Sequence, residues 1–273
     1  MKSFAEIQVL KFPESQLQKD VLAVEEPLEI RLGFYAQSKF THKAISITMR
    51  TPDHDFELAA GFLFTEGILQ SSEQIAQIKH CGKIGEGFTN TVRVDLQKDV
   101  KFDFKRLERH FYTSSSCGVC GKSSIEALQT GVKRIESNLQ IKSDLIHQLP
   151  DILRESQTVF NETGGLHASA LFDENGNLDI VREDVGRHNA LDKVIGAKFL
   201  VNQTPLSDKI LLVSGRASFE LVQKALMAQI PILAAVGSPS SLAVELAKEF
   251  GMTLIGFVRD NRFNIYSGEE SVI

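Results

Sequence analysis

Ile210-Leu211-Leu212-Val213-Ser214-Gly215-Arg216-Ala217-Ser218-Phe219-Glu220-Leu221-Val222-Gln223-Lys224-Ala225-Leu226-Met227 holds the pattern that decides the fold. Four consecutive branched apolar residues, too few for a helix, read as a buried strand. A small polar turn follows, and Phe219, Leu221, Val222, Ala225 and Leu226 then recur at helical spacing. The unit repeats with a strand over 232–236, the turn Gly237-Ser238-Pro239-Ser240-Ser241, a helix over 242–250 and a strand over 253–257. Strands joined by helices need right-handed crossovers, so this segment predicts a largely parallel sheet with helices on its faces.

Outward toward the N-terminus, a helix is expected over 187–199. Strands over 168–172 and 178–182 flank Asp173-Glu174-Asn175-Gly176-Asn177, whose Asn-Gly pair marks a β-hairpin. A further helix is expected over 144–153. The start of the chain reads as mixed α+β, with strands over 28–32, 44–49 and 91–96. A helix runs through Phe56, Ala59, Ala60, Leu63 and Phe64, with Asp53 as its cap. Between the halves lies Tyr112-Thr113-Ser114-Ser115-Ser116-Cys117-Gly118-Val119-Cys120-Gly121-Lys122, rich in residues that bury little. A helix through Ile125 and Leu128, capped by Ser123 or Ser124, is expected after it. The expected organisation is α/β: an α+β N-terminal domain at 1–112, a flexible Cys-x-x-Cys loop with a helical connection at 113–160, and an α/β domain at 161–273.

Composition narrows the function classes. A hydrophobic fraction of 42% and a charged fraction of 24% lie near globular averages, against a disordered chain or a disulfide scaffold. Thirty Lys and Arg against 35 Asp and Glu give a net charge of -5, which lacks the basic footprint of a nucleic-acid binder. No apolar run approaches the roughly 18 residues that span a bilayer, so no membrane association is expected. Residues 1–10 alternate polar and apolar without the apolar block of a signal peptide, and a cytoplasmic location is expected.

Ligands of open α/β sheets bind beyond the carboxyl ends of the strands. The loops expected there are Ser214-Gly215-Arg216-Ala217-Ser218, Gly237-Ser238-Pro239-Ser240-Ser241 and Val258-Arg259-Asp260-Asn261-Arg262. Gly and Ser before a helix leave backbone N–H groups free for an anion, and Arg216, Arg259 and Arg262 add charge, so a phosphate-bearing ligand is expected. Gly and Ser are also ordinary helix-start residues, and neither a Walker A motif nor a dinucleotide fingerprint is present.

Cys117 and Cys120 allow several chemistries. A structural zinc needs four ligands, and without a second Cys-x-x-Cys it would have to recruit histidines such as His110 or His167. A thioredoxin-like pair belongs at a strand end rather than in a serine-rich loop. Two cysteines without a role are usually buried, unlike a pair flanked by Ser, Gly and Lys. The fourth reading is a sulfur or acyl carrier on a swinging loop, with Lys122 favouring the thiolate. Spacing alone leaves zinc and carrier both open. His167, in Thr163-Gly164-Gly165-Leu166-His167, and His188, in Asp184-Val185-Gly186-Arg187-His188, read as ligand-positioning groups or as acid/base groups oriented by Glu183 or Asp184.

Five stretches occur here in one order: Cys117-Gly118-Val119-Cys120-Gly121, Thr163-Gly164-Gly165-Leu166-His167, Arg182 through Lys193, Ser214-Gly215-Arg216 and Gly256-Phe257-Val258-Arg259. Together with Thr51-Pro52-Asp53 and Gly61-Phe62-Leu63-Phe64-Thr65-Glu66-Gly67, they make the chain resemble the FdhD family, the formate dehydrogenase accessory sulfurtransferases. The resemblance spans nearly the whole chain. It implies a cytoplasmic carrier that takes persulfide sulfur from a cysteine desulfurase. The sulfur passes to the molybdenum cofactor, in its bis(molybdopterin guanine dinucleotide) form, before insertion into formate dehydrogenase.

In that family the first cysteine carries the persulfide, which maps to Cys117, with Cys120 assisting. The cofactor is cargo rather than a permanent metal. Its binding stretch looks like Phe257-Val258-Arg259-Asp260-Asn261-Arg262, with Ser214, Gly215, Arg216, Ser238, His167 and His188 expected alongside. A ligand of this size calls for two sets of loops, which points to a homodimer. The resemblance also implies a three-layer C-terminal domain similar to the cytidine deaminase fold. Zinc deaminases use His-x-Glu followed by Pro-Cys-x-x-Cys. Here the cysteines precede His167, and Ser169 stands in the glutamate position, so no deaminase activity is expected. The rival class is a cofactor-holding chaperone whose cysteines are structural or bind zinc; a third, a thiol oxidoreductase, would cycle a Cys117–Cys120 disulfide.

Overall fold

The computed structural model describes residues 3–82, 90–100 and 132–273. The Cys-x-x-Cys segment and the helix expected after it lie outside these. A two-stranded hairpin comes first, β1 (Phe4–Lys11) paired antiparallel with β2 (Gln16–Ala23). Next come β3 (Glu26–Ala36), β4 (Lys39–Arg50), helix α1 (Asp55–Thr65), β5 (Ile75–His80) and β6 (Thr91–Leu96). These strands form a four-stranded sheet ordered β4-β3-β6-β5.

The expected cap of α1 is not the one found. His54 occupies the cap position in the left-handed region at φ 58° with no side-chain cap bond, and Asp53 at φ 113° accepts instead from the His54 amide. The Asp53 carboxylate thus stays on its neighbour, with its other oxygen 3.5 Å from the His54 ring nitrogen Nε2.

The second half runs α2 (Ser143–Ser156), α3 (Thr158–Thr163), β7 (His167–Phe172), β8 (Leu178–Asp184), α4 (Arg187–Leu200) and β9 (Ile210–Val213). It ends with α5 (Phe219–Met227), β10 (Ile232–Ala235), α6 (Ser241–Phe250), β11 (Thr253–Arg259) and β12 (Arg262–Ser267). Its six-stranded sheet is ordered β12-β11-β10-β9-β7-β8.

Within this sheet, among the described residues, only β9, β10 and β11 pair in parallel, so the sheet is mixed and not largely parallel as the sequence suggests. An antiparallel hairpin flanks each side of this parallel centre: β7–β8, whose β7 runs antiparallel to β9, and β11–β12. A two-residue or five-residue connection leaves no room for a crossover helix, which forces both hairpins to be antiparallel.

The period of two divides each strand between two faces. Ile210, Leu212, Ile232, Ala234 and Ile255 face Ile146, Leu149 and Leu153 of α2. Leu211, Val213, Leu233 and Leu254 point the other way, toward α4, α5 and α6. That second cluster continues through Leu58 and Leu63 of α1 to Leu28, Ile30, Leu32, Val92 and Val94 of the smaller sheet, so both halves share one core. Helices α1 and α4 meet backbone to backbone at two glycines. A Cβ on Gly61 would overlap the Asp192 carbonyl, and one on Gly196 would overlap the Glu57 carbonyl.

Glu57 ties the same crossing to β8. Its carboxylate accepts from Arg182 Nε at 2.6 Å and Nη2 at 2.8 Å. Burial pushes the Glu57 pKa up, but the Arg182 and His54 hydrogen bonds and charges outweigh it and bring it from 4.5 to about 2. A carboxyl depressed in the folded state stabilises above its unfolded pKa, and that contribution disappears as pH falls through the folded value. The Glu57→Gln variant is therefore expected to lose less stability than the parent between about pH 4.5 and 2 in urea titrations. Parallel losses across that window would contradict this assignment.

Candidate functional site

Because β7 runs against β9, its first residue lies beside the end of β9, and Ser169 pairs with Val213. His167 pairs with Asp184 at the end of β8. The carboxyl edge of the parallel strands thus collects the start of β7, the end of β8, both crossover loops and the β11–β12 turn.

The loops are fastened to one another by backbone groups. Ala168 N donates to Ser214 Oγ at 2.9 Å, and Ser214 N returns a bond to Ala168 O at 2.9 Å. Gly237 N donates to Gly215 O at 2.9 Å, Ser240 N to Ala217 O at 3.0 Å and Phe257 N to Gly237 O at 3.0 Å. The glycines permit this close approach. A Cβ on Gly215 would sit 3.3 Å from His167 Nδ1, and one on Gly237 would sit 3.0 Å from Arg216 Cγ. His167, Ser214, Gly215, Arg216 and Ser238 therefore belong to one connected edge.

The last loop is tighter than the sequence suggests. Asp260 and Asn261 have φ of 54° and 52°, and Arg259 pairs with Arg262, which makes 259–262 a two-residue hairpin turn of the I′ kind. Phe257, at φ 56°, lies where the β11–β12 register shifts. Val258 is fully buried beneath α2, so only its backbone is available to a ligand. Arg259, Asp260, Asn261 and Arg262 are exposed, and the Arg259 guanidinium lies 5.8 Å from the Phe257 ring centre.

Neither carboxylate expected to orient the histidines does so. Glu183 accepts from Val159 N at 3.0 Å and Phe160 N at 2.8 Å, holding the first turn of α3. Asp184 is fully buried and pairs with Lys193 Nζ at 2.7 Å. It also accepts from Thr51 N at 3.2 Å, Gly186 N at 2.8 Å and Asn189 Nδ2 at 3.0 Å. Lys193 completes its bonds on Thr51 O at 3.0 Å and Glu183 O at 3.2 Å. A buried pair survives only when its remaining hydrogen bonds are made, and here they are. The long motif from Arg182 to Lys193 is chiefly the junction that fixes the β4–α1 turn against the start of α4.

That junction delivers Arg187 and His188 to the edge on the first turn of α4. His188 Nε2 lies 2.8 Å from Glu220 Oε2 and 3.3 Å from Ser218 Oγ. His167 is half-buried, and burial first, then the charges of Arg187 and His188, push its pKa below the ordinary histidine value. It is therefore neutral at neutral pH, a hydrogen-bonding group rather than a cation. Arg187 and Ser218 lie within stretches the sequence singles out but without a role of their own there, and Glu220 escapes a reading by motif. The start-of-helix pattern Ala217-Ser218-Phe219-Glu220 suggests only a cap. Among the described residues no cluster of three or more His, Cys, Asp or Glu side chains forms a metal site. Cys117 and Cys120 lie outside the described residues.

The sequence profile described as FdhD/NarQ family matches residues 23–273. The chain belongs to the FdhD/NarQ family. Among curated members it is 50% identical over 259 residues to the protein named sulfur carrier protein FdhD from Streptomyces coelicolor, covering 93% of this chain and 89% of that one. The protein of the same name from Saccharolobus solfataricus is 41% identical over 263 residues, covering 96% and 95%. A crystal structure provisionally assigned as a formate dehydrogenase accessory protein from Desulfotalea psychrophila superimposes with a TM-score of 0.72 at 26% identity. It covers 99% of this chain and 98% of that one.

For this FdhD/NarQ chain, Lys193→Met should lower stability by about 3–5 kcal/mol, because Asp184 is left buried and unpaired. The double variant Asp184→Asn/Lys193→Met should recover part of that loss. Additive losses in urea denaturation would show that the two side chains do not act as a pair.

Proposed function

We propose that the chain is a sulfur carrier serving formate dehydrogenase. Cys117 takes sulfane sulfur from the persulfide of a cysteine desulfurase and delivers it to the molybdenum cofactor before insertion. The cofactor is substrate and cargo here, bound through the phosphates of its guanine dinucleotides. The observation that carries the reading is family membership, with curated relatives such as those 50% and 41% identical that bear the sulfur carrier name. A connected loop edge with Arg187, Arg216, Arg259 and Arg262 on it fits a phosphate-rich cargo.

The loading step conserves atoms and electrons. The Cys117 thiolate attacks the terminal sulfur of the desulfurase persulfide, one S–S bond forms as another breaks, and the desulfurase cysteine leaves as thiolate. Delivery as sulfide needs two electrons. Cys120 can supply them by attacking the inner sulfur of the Cys117 persulfide, which frees the terminal sulfur and leaves a Cys117–Cys120 disulfide for a cellular dithiol to reduce. The site of action in this reading is the cytoplasm, and the assembly a homodimer that presents two sets of loops to a cofactor with two guanine dinucleotides.

Intact-protein mass spectrometry after incubation with a cysteine desulfurase and cysteine tests the proposal. One added sulfur that maps to Cys117 and disappears with dithiothreitol is expected. Cys117→Ala should abolish loading and leave guanosine diphosphate affinity within about twofold. Equal loading of that variant would remove Cys117 from the mechanism. No loading of the parent chain, where a control acceptor is loaded, would favour a cofactor-holding protein without sulfur chemistry.

A further inference from the structure

Glu220 is the second residue of α5, and its side chain is 62% exposed, so no core requirement places it. It nevertheless reaches back across the edge to His188 Nε2 at 2.8 Å. Ser218 approaches the same nitrogen, at 3.3 Å. A nucleophilic triad needs its serine and carboxylate on opposite ring nitrogens, so this cluster is not a hydrolase site.

Ser218 also departs from its local role. It stands at the cap position of α5 but makes no cap bond, whereas Ser240, in the equivalent loop before α6, accepts from Ala243 N at 3.2 Å. Its hydroxyl is turned to His188 instead. Arg187, next to His188, has a buried Nε with no hydrogen-bond partner. The charges of Arg187 and His188 reach His167 on one side and Glu220 on the other. Among the described residues, the other charged group facing Glu220 is Lys224, which is already held by Asp192 at 2.9 Å, Glu66 at 3.2 Å and Thr65 at 2.9 Å. The His188 hydrogen bond, opposed by burial and aided by Lys224 and Arg187, holds the Glu220 carboxyl below the usual range, so it is an anion at neutral pH.

We propose that Glu220 is an internal stand-in for a phosphate: its carboxylate occupies the His188 nitrogen that Ser218 also approaches, next to Arg187 in the chain, and the diphosphate of the bound ligand displaces it. This rests on the reading of a phosphate-bearing cargo at the carboxyl edge. A contact this exposed holds weakly. A diphosphate brings more charge and more acceptor oxygens, enough for the His188 N–H, the Ser218 hydroxyl and the Arg187 guanidinium together. Displacement frees Glu220 to solvent and opens this position only when the right anion arrives, which disfavours weaker monoanions.

Calorimetric titration of the full chain with guanosine diphosphate and with inorganic pyrophosphate tests this, with guanosine as the uncharged control. Removing the competitor in Glu220→Gln should tighten both phosphate ligands about two- to fivefold, the range of a weak exposed polar contact. Glu220→Ser, which lacks the reach, should act alike, so the result does not depend on the fold of one variant. His188→Gln should weaken both ligands, and guanosine should be unaffected throughout. Unchanged or weaker phosphate binding in both Glu220 variants, with the parent chain binding normally, would overturn the stand-in role alone. A parent chain that binds neither phosphate ligand would overturn the cargo reading and this inference with it.

Discussion

The buried pair of Lys193 and Asp184 is the constraint on which the rest of the architecture depends. Both ions are out of water, and Asp184 is satisfied only because the Thr51 amide, the Gly186 amide and Asn189 converge on it. Asn189 in turn donates to Met49 O at 2.7 Å and accepts from Thr48 Oγ1 at 3.1 Å, so the end of β4 is drawn into the same network. One cluster of polar atoms thereby fixes where the smaller sheet ends, where α1 begins and how α4 leaves β8. The contact of Gly61 with the α4 backbone follows, because α1 and α4 are then held too close for any side chain between them. A second set, Lys224 with Asp192, Glu66 and Thr65, is built on the residue just before Lys193 on α4 and pins α5.

This scaffold produces the proposed functional edge as a geometric consequence. With α4 anchored by Asp184 and Lys193, its first turn presents Arg187 and His188 beside the ends of the parallel strands. The antiparallel course of β7 places His167 opposite them, and the crossover loops lock together through Ser214, Gly215 and Gly237. The edge is thus built of rigid elements whose charges are held near one another, a preorganised setting for an anionic ligand. Burial, then the charges of Arg187 and His188, lower the His167 pKa, and the His188 hydrogen bond, aided by Lys224 and Arg187, lowers that of Glu220.

Much of this was legible in the sequence where local pattern and tertiary fate coincide. The strands at Thr91–Leu96 and Ile210–Val213 and the helix at Phe219–Met227 fall where periodicity places them. The hairpin over 167–184 follows from its Asn-Gly turn, where Asp173 accepts from the Asn175 and Asn177 amides. The loops expected on one edge are on one edge. Strand direction was less legible: β12 is short and polar, and nothing in Arg262-Phe263-Asn264-Ile265-Tyr266-Ser267 announces that it folds back on β11 rather than running on as loop. The roles of charged residues were the hardest to read. Glu183, Asp184 and Lys193 look like chemistry in a motif, yet their partners lie at Val159, Phe160 and Thr51, at separations that spacing cannot reveal. Glu220 and Ser218 look like an ordinary helix start, and only the approach of His188 from another element gives them a different meaning.

Hydrogen–deuterium exchange of the full chain, with and without guanosine diphosphate, tests the functional edge most directly. Slower exchange is predicted at 165–167, 186–188, 214–218, 237–241 and 257–262, with the strands of the four-stranded sheet unchanged. Protection confined to that smaller sheet, with the edge loops unaffected, would contradict it.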